Sequence, residues 1–83
     1  MRLIIMGQQA FGKDVLQKII TSGVDDVLAV YCEPDKENKP IDPIKEFAIE
    51  KGIEVIQPNN FSNIDTQNKL KSFEADLMIM AFV

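Results

Sequence analysis

Leu3-Ile4-Ile5 is an apolar run without alternation. A strand with one face in water alternates apolar and polar residues. A continuous run marks a strand covered on both faces, as in a parallel sheet flanked by helices. Three later segments read as strands of the same sheet: Val27–Tyr31, Ile53–Gln57 and Leu77–Val83. Parallel neighbours need long crossovers, and the intervening segments have helical periodicity. Phe11, Val15, Leu16, Ile19 and Ile20 fall on one face of a helix over 11–22, with Gly23 suited to its left-handed end. Asp42 followed by Pro43 predicts the start of a second helix, with Ile44, Phe47 and Ala48 as its buried stripe and Gly52 as its close. Ser62 and Asp65 have the spacing of a capping box for a third helix over 63–72, anchored by Ile64, Leu70 and Phe73.

The order is therefore βαβαβαβ. Crossovers between parallel strands are right-handed almost without exception. The simplest arrangement is an α/β, doubly wound, Rossmann-like parallel sheet of strand order 3-2-1-4. The first two helices then share one face and the third covers the other alone. That third helix is polar, and the apolar last strand has no helix after it, which leaves an open edge. Both features predict an incomplete half of a larger domain, with residues 1–83 as one partial unit. They also suggest a rival, a small module that pairs or oligomerises through Leu77–Val83.

Composition narrows the chemistry. The 83 residues are 46% apolar and 27% charged, as in a soluble globular chain. A net charge of −4 argues against non-specific binding of nucleic acid or of an anionic membrane. The apolar start is too short for a signal peptide or a membrane span, so the cytoplasm is the expected location. Cys32 is the lone cysteine and reads as a half-buried small hydrophobe. Met78 and Met80 read as core. The segment 32–41, with Glu33, Asp35, Lys36, Glu37 and Lys39, reads as a solvated loop. There is no histidine, which removes the commonest general base, and no acidic group has metal-ligand spacing; no metal is expected.

Open parallel sheets bind ligands at the carboxyl ends of their strands, at the switch point. That places a site at Gly7–Ala10 and Ala81–Val83. A dinucleotide site would need G-x-G-x-x-G, but Gln9 stands at the middle glycine, where backbone must approach a pyrophosphate. Glu33 is the candidate for its ribose-binding acid. A Walker loop would need a hydroxyl where Asp14 stands. In both cases the plain alternative is that Gly7 serves a turn and Gly12 close packing.

Several segments, in order, resemble the folate-dependent formyltransferase family. They are Met6-Gly7-Gln8-Gln9-Ala10-Phe11-Gly12, Tyr31-Cys32-Glu33-Pro34-Asp35-Lys36, Asp42-Pro43, Lys51-Gly52-Ile53-Glu54-Val55 and Ala75–Phe82. The opening is most similar to the amino-terminal hydrolase domain of 10-formyltetrahydrofolate dehydrogenase, and next to methionyl-tRNA formyltransferase. The resemblance implies the amino-terminal half of a domain that uses 10-formyltetrahydrofolate as substrate in one-carbon metabolism. The family's catalytic asparagine, histidine and aspartate fall downstream of the fourth strand, so the resemblance assigns no catalytic residue to this chain. It places Gly7, Gln8 and Gln9 beside the folate and formyl group, and Ala81 and Phe82 at the entrance to the pteridine pocket. The short loop 32–41 lacks arginine, which speaks against a tRNA partner.

Overall fold

In a computed structural model, which describes residues 1–81, the chain forms β1 (Arg2–Gly7), α1 (Gln9–Ser22), β2 (Asp26–Tyr31), α2 (Pro43–Glu50), β3 (Glu54–Ile56), α3 (Ile64–Ser72) and β4 (Leu77–Ala81). All strand pairs are parallel and the order is β3-β2-β1-β4, as expected from the sequence. β1 is central and buried from Leu3 to Gly7, which is why its run does not alternate. The expected extension of the last strand through Phe82 and Val83 lies outside the described residues.

Side chains of β1 alternate between two cores. Ile5 joins Leu16 of α1 and Ile44, Phe47 and Ala48 of α2, with Val30 and Cys32. Ile4 and Met6 join Ala29 and Tyr31 on the opposite face, beneath Leu70 and Phe73 at the end of α3. So α1 and α2 cover one face and α3 the other. Between Leu3 and Ile4 the pairing skips Leu28 of β2. This one-residue irregularity puts Val27 and Ala29 on opposite faces, where an unbroken strand would put them on the same one.

The α3 face is thinly covered. No residue of α3 is fully buried, and Ile64, expected as an anchor, is 63% exposed. Met80, expected in the core, is 68% exposed, and Leu77 is half exposed. The reason is placement: α3 packs through Leu70 and Phe73 against Ile4 and Met78, leaving the carboxyl end of β4 outside that cluster.

The helix ends differ from expectation in two places. α3 is capped by Asn63, whose Oδ1 accepts from the Asp65 N–H at 2.8 Å, while the Ser62 N–H donates to the Asn60 side chain. An Asn-initiated turn therefore replaces the Ser62–Asp65 capping box. α1 begins at Gln9, two residues ahead of the expected Phe11. Elsewhere the signals hold. Gly23 closes α1 at φ 67, and Gly52, at φ 73, follows α2 with its N–H on the Ile49 carbonyl.

Candidate functional site

Two open cavities flank the exit of β2 at the carboxyl end of the sheet. One, of about 400 Å³, lies between Gln9, Ala10, Asp42 and Pro43 on one side and Glu33–Lys36 with Lys39–Ile41 on the other. The second, of about 490 Å³, lies across the same loop, between Met6, Cys32, Pro58 and Phe61. Both are at the end of the sheet where open parallel folds bind ligands. They are centred on β2 rather than on the β1–β4 switch point predicted from topology.

Beside them, at the carboxyl ends of β1 and β4, small residues meet closely. A Cβ built on Gly7 would lie 3.0 Å from the Ala81 carbonyl oxygen, 3.2 Å from the Ala81 Cβ and 3.3 Å from the Gly12 Cα. A Cβ on Gly12 would lie 3.1 Å from the Ile44 Cδ1. Gly12 therefore serves close packing, as read from sequence. Gly7 does not serve a turn: its φ is not in the left-handed region, and its missing side chain is what lets β4 and α1 approach β1. Of the expected site residues, Gly7 and Ala81 are buried at the end of the sheet. Gln8 is half-buried at the start of α1 and makes no side-chain cap. Gln9 is exposed and borders the first cavity. Phe82 lies outside the described residues.

The left-handed residue of this turn is Gln9, at φ 55. Its N–H donates to the Asp42 Oδ1 at 2.6 Å, and the same oxygen accepts from the Ile44 N–H at 3.1 Å. Asp42 was legible as the cap of α2; its bond to the start of α1 was not, because nothing in the local sequence joins residues 9 and 42. The consequence is electrostatic. A phosphate at the start of α1 would have to displace a carboxylate already bound there. This weighs against the dinucleotide and Walker readings, as Gln9 and Asp14 did from sequence.

The loop after β2 is better fixed than its charge pattern suggests. The Asp35 carboxylate accepts from Lys45 of α2 and, at 2.9 Å, from the Gln57 Nε2, which also donates to the Glu33 carbonyl. The Lys45 hydrogen bond, then that of Gln57, holds the Asp35 carboxyl below its usual range. Glu33, the candidate ribose-binding acid, is exposed and pairs with Lys36 at 3.6 Å. Cys32 is buried in the core, and burial, reinforced by Asp42, pushes its thiol up to about 11. A thiol so raised stays protonated at neutral pH. The Tyr31 hydroxyl is buried and finds no partner among the described residues; burial, then Glu54, raises its pKa. Among the described residues no group of three His, Cys, Asp or Glu side chains could hold a metal ion. Among them, too, no helix is long and apolar enough to cross a membrane.

The class these features define is a parallel α/β sheet with its cleft at the carboxyl ends of the strands. Its family comes from comparison with known proteins. No family model matches the sequence. Methionyl-tRNA formyltransferases do match along nearly all of it. That of Caldanaerobacter subterraneus subsp. tengcongensis is 32% identical over 87 aligned positions, that of Hahella chejuensis 33% over 86, and that of Ruminiclostridium cellulolyticum 34% over 86. Each match covers 98% of this chain. The chain spans only about a quarter of those relatives, 27–28% of their length. Among solved structures, phosphoribosylglycinamide formyltransferase from Bacillus halodurans shares the fold, with a TM-score of 0.73 at 15% identity. That match covers 99% of this chain and 45% of the other. These 83 residues belong to the formyltransferase family, as a segment of its fold.

Proposed function

We propose that the chain is the amino-terminal scaffold of a domain that moves a formyl group from 10-formyltetrahydrofolate to an amine or to water. The observation that carries this reading is the identity of 32–34% across nearly every residue to enzymes named methionyl-tRNA formyltransferase. In the proposal, Gly7, Gln8 and Gln9 lie beside the folate and formyl group, and Ala81 and Phe82 lead to the pteridine. Gly7 and Ala81 would act by shape, keeping the sheet end narrow, and Gln9 by facing the cleft. The proposed compartment is the cytoplasm.

The segment holds no histidine and, in this reading, none of the asparagine, histidine and aspartate groups that would polarise the formyl carbonyl and move protons. It is therefore silent by itself. Purified residues 1–83 incubated with 10-formyltetrahydrofolate should release no formyl group; measurable turnover would sink the proposal. Loop 33–41 has no arginine, which speaks against a tRNA phosphate contact at this loop.

A second reading has its own observation. β4 is the outer strand of the sheet, with Leu77 and Met80 exposed and no charge along Leu77–Ala81. The other outer strand, β3, is only three residues long and carries Glu54 paired to Lys69, a common protection of edges. We propose that the Leu77–Val83 edge pairs with a further strand, from a second copy or another chain. Light scattering tests it: a monodisperse monomer at high concentration, with Met80→Lys changing nothing, counts against pairing.

A further inference from the structure

We propose that Asp42 is the positioning residue of the cleft. One oxygen of its carboxylate ties the start of α1 to the start of α2, and so keeps Gln9 in the backbone conformation that shapes the cleft wall. Four observations meet there. The Gln9 and Ile44 N–H groups, from different helices, both donate to the Asp42 Oδ1. Gln9 has φ 55, a region that non-glycine residues hold only when their surroundings impose it. Gln8 offers α1 no side-chain cap, so the start of that helix depends on a residue 33 positions away. Gln9, Ala10, Asp42 and Pro43 border the same cavity. The packing of Gly12 against Ile44 brings the two helix starts close enough for one side chain to serve both.

An ordinary N-cap would stabilise α2 and no more. Here the carboxylate acts on the other helix, through the backbone of Gln9. Its functional meaning rests on the reading of Gln9 as part of the folate cleft, but its test does not, because the readout needs no ligand.

The experiment is amide exchange and backbone coupling at Gln9 in the 83-residue chain, as wild type, Asp42→Asn and Asp42→Ala. Asn keeps an acceptor oxygen in place, so it should preserve the Gln9 amide shift and the coupling constant of a left-handed residue. Ala should speed Gln9 exchange by about 10- to 100-fold, the loss of a hydrogen bond to a charged group, and move the coupling constant toward ordinary helix values. Gln9→Gly in the Ala background should recover part of the lost urea midpoint, since glycine holds φ 55 without strain. If Asp42→Ala destabilises α2 and leaves the Gln9 amide unmoved, Asp42 is a cap only and the proposal is overturned. Should the Ala variant not fold, wild type decides: a Gln9 amide exchanging at the rate of a free amide overturns it equally.

Discussion

Gly7→Ala is the sharpest perturbation the fold offers, because the added methyl meets backbone. The new Cβ would lie 3.0 Å from the Ala81 carbonyl oxygen, closer than real Cβ atoms tolerate without movement of a neighbour. Ala81 is paired to Gly7 in the sheet, so the few tenths of an ångström it must give are taken from the β1–β4 ladder. Overpacking of this kind costs about 1–3 kcal/mol. A chain of this length has a total stability of roughly 4–12 kcal/mol, so the loss is a large share of it. With a urea slope of about 1 kcal/mol/M, the unfolding midpoint should fall by about 1 M or more. Gly12→Ala is the control. Its methyl meets the terminal Cδ1 of Ile44, which can rotate, although the Gly7 carbonyl carbon is 3.3 Å away. A helix-interior Gly→Ala change also gains about 1 kcal/mol. The net effect should lie within about 1 kcal/mol of wild type. The double variant should lose more than the sum of the two, because each new methyl crowds the other glycine's backbone. A Gly7→Ala protein as stable as wild type, or less affected than Gly12→Ala, would refute the view that missing side chains bring β4, β1 and α1 together.

Two further outcomes follow from the loops. Asn63→Ala should cost about 1 kcal/mol in thermal or urea unfolding, and Ser62→Ala almost nothing; the reverse order would restore the capping box that the structure replaces. Asp35 should titrate below an ordinary aspartate in carboxyl NMR. Because its folded pKa is depressed, its contribution to stability is fully present above the ordinary aspartate pKa and is lost as pH falls through the folded pKa. Lys45→Met should return the titration toward the ordinary range, and an unchanged curve would remove Lys45 as the cause.

What the sequence disclosed is what local chemistry decides. The Leu3-Ile4-Ile5 run and the helical stripes mark a parallel βαβαβαβ chain whose simplest doubly wound order is the observed β3-β2-β1-β4, and Asp42-Pro43 is enough to start α2. The misses that bear on the site are relations between distant segments. Met80 has the composition of a core residue, and only the placement of α3 over the other end of the sheet exposes it. Gly7 precedes a helix, as turn glycines do, and only β4, more than seventy residues on, shows that its missing side chain is a matter of clearance. The strain that a turn glycine would have relieved sits two residues later, on Gln9, a residue type with no special tolerance for it. The structure supplies the reason glycine is not needed there: a carboxylate from the start of the second helix holds the Gln9 N–H. The conformation of this turn is thus specified by tertiary contact rather than by its own residues. The same contact occupies the start of α1, where a nucleotide-binding loop would present its amides to phosphate. Substituting glycine at Gln9 alone would therefore not produce a dinucleotide site, since the Asp42 carboxylate would still stand in the phosphate's place.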